Sequence, residues 1–393
     1  MPTTRGATPW PALITLAGSC RRSPGIPPAA YGRGMQLTGP SEPGSLTRLV
    51  ADDLPSDVEG SLRLGIALTS RGGAAPVPGE GRTADLWRAL ATLAAHDLGA
   101  ARAVEPHLDA FAILQQVDAA GGADATSRPD GTDAAGATRA SSAATRSWGV
   151  FAAELPGTRL EARQVGDGWS LSGEKGWCSL AGVLDSALVT AWVGDERRLF
   201  SVDLRQGGVE VVDGAWHARG LVEIPSGPVR FDAVAASPVG APGWYLERPG
   251  FSWGGIAVAA CWYGGAVGIA RALHRTVVRR DPDPHTAAAL GAVDERLSDA
   301  RRALAEAAEL VDAGRATGAD GRLLAKRVRA TVAHAADDVL TRVGRALGPA
   351  PLVADAAHAK RVADLTLYLR QHHADADDAS LGRQLRESAV APW

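Results

Sequence analysis

The chain has 393 residues, 46% hydrophobic and 22% charged, with 41 Lys+Arg against 44 Asp+Glu and a formal net charge of -3. Its length excludes a mini-protein that needs staples, and its composition excludes a chain disordered throughout. The charge balance offers no electrostatic grip to nucleic acid or an anionic membrane. Three cysteines, Cys20, Cys178 and Cys261, with no C-x-x-C pair, argue against a disulfide framework and a structural zinc site, so a reducing cytoplasm is the simplest compartment.

Residues 1–44 read as a disordered extension. The apolar run from Trp10 to Gly18 is about half the length that spans a bilayer, is preceded by Arg5 as its only basic residue, and gives way to Arg21, Arg22, Pro24, Gly25, Pro27 and Pro28. Met35 would serve as a start codon. Residues 45–146 form a helical region that closes in a linker. Leu86, Leu90 and Leu93, then Leu108, Phe111, Ile113, Leu114 and Val117, recur at helical spacing, while 119–145 is almost wholly Ala, Gly, Ser, Thr and Asp. At Trp148 the period changes. Short runs at 148–153, 168–172, 187–193, 199–204, 209–212 and 229–234, bounded by Gly, Pro and Asp, make 147–244 a β domain, a compact barrel or sandwich.

Residues 245–393 return to helical spacing. Leu290, Val293, Leu297, Ala300, Leu304, Ala307 and Val311 form one stripe and Leu324, Val328, Val332, Val339, Val343 and Leu347 another. Breaks at Pro282, Pro284, Gly318, Pro349 and Pro351 divide the stretch into four helices of roughly 20 to 30 residues, enough for a bundle. No stretch reads as a transmembrane helix. The fold class is α+β, in the order helices, β domain, bundle. No G-x-G-x-x-G follows a strand and no G-x-x-x-x-G-K-[ST] occurs, so Rossmann and P-loop sites lack support.

Chemistry first gathers at Asp167-Gly168-Trp169-Ser170-Leu171-Ser172-Gly173-Glu174-Lys175-Gly176-Trp177-Cys178-Ser179. This stretch resembles the D-G-(aromatic)-x-L-x-G-x-K-x-W-x-[ST] hairpin of the acyl-CoA dehydrogenase superfamily of FAD enzymes, whose α–β–α order the chain shares. The resemblance implies that Trp177 flanks the isoalloxazine ring of FAD and that Ser179 hydrogen-bonds near flavin N5. An indole shields the ring from water, and a hydroxyl there favours the negative charge of the reduced ring. A plain β-hairpin with a core Trp would carry the same letters. The helix ending in Arg279-Arg280 before Asp281-Pro282 is similar to the one whose Arg contacts the FAD pyrophosphate, which assigns that contact to Arg280. A solvated helix end would look alike. Leu347-Gly348-Pro349-Ala350-Pro351 resembles the G-G-x-G turn that meets the ADP half of a neighbouring subunit's FAD, which assigns Gly348 and Pro349 to the cofactor and implies a homodimer or homotetramer. A helix stop reads the same way.

The departures from the family are equally informative. The loop T-E-P-x-x-G-S-D is shortened here to Ala153-Glu154-Leu155-Pro156-Gly157, without the Ser that helps hold acyl-CoA, and a Gly occupies position 254, where some members carry their Glu. The catalytic Glu that lies about 24 residues beyond the G-G-x-G turn is absent, and that count from Gly348 reaches His372. Imidazole can abstract a proton near neutral pH, so His372 is the candidate base. As the end of a helix, His372 and His373 would instead meet terminal carbonyls. His372, His373, Asp375, Asp377 and Asp378 have metal-ligand chemistry but read as a solvated face, and no metal is expected. The expected function is an FAD-dependent oxidoreductase acting on a CH–CH group of a small substrate such as an acyl-CoA thioester. A flavin monooxygenase or oxidase on the same scaffold and a non-catalytic partner subunit are the alternatives.

Overall fold

A computed structural model describes residues 45–70, 75–124, 144–279 and 282–387. The expected disordered extension at 1–44, with Met35, and most of the Ala/Gly-rich linker lie outside these residues. Four helices open the described chain: α1 (Leu46–Asp52), α2 (Val58–Ser70), α3 (Thr83–His96) and α4 (Leu98–Asp124). The Ser45 side chain accepts from Arg48 N and so caps α1. Leu86, Leu90 and Leu93 of α3 are buried, as are Leu108, Phe111, Ile113 and Leu114 of α4, which is what their spacing requires. The helix α4 continues to Asp124, into the stretch read from sequence as linker.

Seven strands follow: β1 (Trp148–Phe151), β2 (Leu160–Val165), β3 (Gly168–Lys175), β4 (Ser186–Val193), β5 (Glu196–Asp203), β6 (Val209–Val211) and β7 (Val229–Val239). They are not a sandwich. β4 pairs with β2 on one side and β5 on the other, while β2–β3, β3–β7 and β7–β5 complete the ring, so five strands close into a small barrel, with β1 along β4 and β6 along β7. Closure depends on the length of β7, whose first part pairs with β3 and whose last three residues pair with β5. A one-residue register shift between Leu171 and Gly173, opposite a left-handed Ala233 (φ 51°), bends the sheet round that corner.

After the short helix α5 (Trp244–Glu247), the bundle has three long helices, α6 (Pro249–Arg279), α7 (Pro284–Asp312) and α8 (Gly318–Leu347). The expected fourth long helix is a set of shorter pieces: α9 (Ala350–Ala354), α10 (Ala356–Tyr368), a 3-10 turn at 369–371 and α11 (Asp375–Arg386). Asp355 caps α10 by accepting from His358 N, and so starts a new helix where a continuous one was expected. By length and composition alone, α6 could cross a membrane, contrary to the sequence reading, but 89% of its apolar window is buried in the protein. It runs through the middle of the bundle between α3 and α8. The approach to α3 is so close that a Cβ on Gly264 would collide with the Ala91 carbonyl oxygen.

Candidate active site

The segment that leaves β3 is held from both sides. Lys175, buried at its end, donates to Glu154 Oε1 at 2.7 Å and to Thr190 Oγ1 at 2.9 Å inside the barrel. Burial pulls the lysine pKa down while the Glu154 carboxylate opposes the shift. Beyond it, Cys178 N donates to the Gly227 carbonyl at 3.0 Å and Leu180 N to the Pro225 carbonyl at 2.8 Å, which ties this turn to residues 224–228. Around those bonds, Trp177 and Leu180 take left-handed backbone angles (φ 59° and 60°) that side-chain-bearing residues rarely adopt. The Trp177 side chain is left 49% exposed, while Ser179 is only 7% exposed. The Ser179 hydroxyl shares a 2.7 Å hydrogen bond with Ser226 Oγ and accepts from Arg102 Nη2 at 2.9 Å.

That last bond crosses from the barrel to α4 and opens a chain of buried polar and aromatic groups. The Arg102 guanidinium lies 3.8 Å from Glu105 Oε2 and 5.8 Å from the centroid of the Tyr368 ring. Tyr368 meets Trp262 edge-on at 6.3 Å, and Trp262 meets the His372 ring edge-on at 6.4 Å. Arg329 stacks over Trp262 at 4.7 Å and donates to the carbonyls of Gly255 and Gln371, which holds the His372 loop against α6 and α8. His372 is 7% exposed, its Nε2 is buried without a hydrogen bond, and the nearest carboxylate oxygen, on Asp377, is 3.9 Å away. Burial lowers the His372 pKa against the pull of Asp377. The ring also borders an open cleft lined by His334, Asp337, Asp338 and Arg370.

A second ionic group lies one turn further along α4. Asp109 pairs with Arg248 at 3.7 Å, and Arg248 also donates to Gln116 Oε1 at 2.7 Å. Burial raises the pKa of Asp109 and pushes that of Glu105 up to about 7. Tyr245, Tyr368 and Cys261 beside them are held in their neutral forms by the same desolvation.

The residues singled out in the sequence divide accordingly. Trp177 and Ser179 form one turn, and Ser179 is linked through Arg102, Tyr368 and Trp262 to His372. Arg280 lies outside the described residues. Gly348, at the end of α8 with φ 65°, and the exposed Pro349 stand 19 residues beyond Arg329, about 28 Å along the helix axis. Sequence reading missed Arg102, Glu105, Tyr368, Trp262 and Arg329. A signal for Glu105 was present, since it interrupts the buried run Ala101, Val104 and Leu108 on α4. Asp97, Glu223 and Asp364 bring carboxylate oxygens together as a metal site would, but the Lys360 ammonium contacts all three at 2.6 to 3.1 Å and supplies the cation there.

A half-exposed indole on a left-handed backbone, next to a buried hydroxyl that a largely buried guanidinium addresses, fits a flat ring that takes up negative charge, such as a flavin. No known protein-family profile and no curated protein matches the chain. Solved structures do. KijD3 in complex with FMN and dTDP-3-amino-2,3,6-trideoxy-4-keto-3-methyl-D-glucose is 21% identical at TM-score 0.69, over 88% of this chain and 94% of KijD3. The dibenzothiophene monooxygenase TdsC from Paenibacillus sp. A11-2 is 18% identical at TM-score 0.68, over 86% of this chain and 91% of its own. A glutaryl-CoA dehydrogenase from Mycobacterium smegmatis, in complex with FADH2, is 16% identical at TM-score 0.70, over 88% and 93%. The chain therefore has the acyl-CoA dehydrogenase-like fold that its Asp167–Ser179 pattern led one to expect, although in the structure that pattern is the strand β3 and the turn after it.

Proposed function

We propose that the protein is a flavin-dependent oxidoreductase that binds the isoalloxazine ring against Trp177 and Ser179 and carries out monooxygenase or oxidase chemistry on a small substrate. The observation that carries the reading is the Arg102–Ser179 bond, which sets a buried cation and a hydroxyl beside the exposed indole. FMN in KijD3 and FADH2 in the glutaryl-CoA dehydrogenase support a flavin in general. Trp177 and Ser179 address the ring common to FMN and FAD. The ADP half of FAD would additionally call on Arg280 and, from a second copy of the chain, on Gly348 and Pro349, so a homo-oligomer belongs to the FAD form of the proposal.

When bound, the flavin supplies two-electron chemistry that the side chains lack. The chain contributes the surroundings. Trp177 covers the ring from water, the Arg102 charge delivered through Ser179 favours negative charge on it, and His372 holds or moves a proton at Nε2, the atom left without a hydrogen bond. Oxygen chemistry is favoured over acyl-CoA dehydrogenation by the ionic interior around Glu105, Asp109, Arg248 and Arg329, where an acyl chain would need apolar walls. The TdsC likeness and the lack of a carboxylate at position 372 support the same choice. The test is to reduce the flavin-loaded protein without oxygen, then admit oxygen. Reoxidation much faster than that of free flavin supports the oxygen-using enzyme. Slow reoxidation together with bleaching by an acyl-CoA returns the dehydrogenase.

A further inference from the structure

We propose that Glu105 is a positioning residue of the flavin site, holding the Arg102 guanidinium on Ser179 Oγ and setting how much of its positive charge reaches the cofactor edge. The inference rests on the reading that flavin sits at Trp177 and Ser179. Arg102 is almost buried, and two groups engage it through polar atoms, Ser179 Oγ at 2.9 Å and Glu105 Oε2 at 3.8 Å. A buried guanidinium with one carboxylate beside it is balanced when that carboxylate is ionised and carries a full uncompensated charge when it is protonated. The state of Glu105 therefore reaches the cofactor through Arg102, without Glu105 touching it.

Charged and titratable groups face Glu105 from α4, α5, α6, α8 and α10. On α4 itself Asp109 faces it, but Asp109 is paired with Arg248 at 3.7 Å. From α8 comes Arg329, committed to the Gly255 and Gln371 carbonyls and to the Trp262 face. Cys261 of α6, Tyr368 of α10 and Tyr245 of α5 also face this carboxylate, and burial keeps all three neutral. Glu105 is lifted to about 7 by burial, and burial raises Asp109 as well, so the Asp109→Asn variant is needed to tell the two carboxylates apart. His372 is not part of the set: the charges acting on it come from Asp377, Arg329, His334 and Asp378.

The experiment uses the full chain loaded with FMN or FAD, following the visible spectrum and the reduction potential of the bound flavin from about pH 5.5 to 8.5. Wild type is expected to show a one-proton transition centred close to pH 7. Its potential should fall more steeply with rising pH than that of Glu105→Gln, in which the transition is lost while flavin stays bound. Should Glu105→Gln not fold, Glu105→Asp, which withdraws the carboxylate by a methylene, moves the midpoint instead. A transition that persists unchanged in either Glu105 variant, or that disappears in Asp109→Asn, overturns the proposal. A wild-type protein that binds no flavin overturns the reading beneath it, a result distinct from flavin bound without any Glu105-dependent transition.

Discussion

Trp177 and Leu180 flank Ser179 with left-handed backbone angles that cost about 1 to 2 kcal/mol each, and the bonds to Gly227 and Pro225 on either side hold that strain in place. The cost is understandable if the indole must stand out from the barrel to cover a ring. Trp177→Ala should then weaken flavin binding about tenfold, the loss expected for removing an aromatic contact, as read by titration of visible absorbance. His372 is buried, while His373 is exposed and faces Asp377. His372→Ala should cost roughly two to four orders of magnitude in turnover with flavin binding nearly intact, and His373→Ala much less. A similar loss in both variants would remove His372 from the chemistry. The stability effect of Glu105 follows from its raised pKa: the folded state binds its proton more tightly than the unfolded chain, so the favourable contribution is complete below about pH 4.5 and is lost as pH rises through about 7. Urea unfolding of both proteins between those limits should show wild type losing stability relative to Glu105→Gln as pH rises, whatever slope the two share. Of these residues, the Gly173–Ser179 pattern and the His372 count were legible in the sequence. Glu105 left only the trace of a charge interrupting the stripe Ala101, Val104 and Leu108, and Arg102 left none, because a charged residue on an amphipathic helix is normally solvated and only the packing of the barrel and α10 over α4 covers this one.

Among the elements, the three long helices and most strands could be read from apolar periodicity, and the exceptions have physical causes. The strand β2 escaped because its outward residues Glu161, Arg163 and Gln164 outweigh the two buried ones, Leu160 and Ala162. Alternation along a strand reports that one face is buried and says nothing of whether the sheet closes, and the barrel rests on the corner at Ala233 and the length of β7. The apolar α6 reads as a core helix only once α3 and α8 are seen around it. The crossing of α6 with α3 depends on the missing side chain at Gly264, so Gly264→Val should destabilise the protein by about 1 to 3 kcal/mol, measured as a lower urea midpoint with unchanged slope. A neutral outcome would mean that this helix pair can separate freely. The loop before β7 is likewise seated on α10, where Leu221 N donates to Asp364 Oδ1 at 2.6 Å and Gly220 leaves no room for a Cβ beside the Ala363 carbonyl. That contact sets Ser226, and with it the Trp177–Leu180 turn, against the bundle.

For the whole molecule, buried neutral histidines set the acid limit. His107, whose ring shares a 3.0 Å hydrogen bond with Thr69, is pulled down to about 4, and burial also lowers His358 and His372. A histidine with a lowered folded pKa is protonated first in the unfolded chain, so stability should fall as pH drops from about 6.5 toward 4, and thermal melts across that window check it. If FAD is the cofactor, the turn at Gly348 and Pro349 serves a second copy, and light scattering should find a dimer or tetramer. Full FAD occupancy in a monomer would exclude that turn from the site. The central claim concerns the flavin itself, and the most direct measurement is titration of the purified protein with FMN and with FAD, following the visible bands together with tryptophan fluorescence. The account predicts saturable binding of at least one of them at one flavin per chain, with shifted bands and quenching that is reduced in Trp177→Ala. Unshifted bands and unquenched tryptophan with both flavins would contradict it.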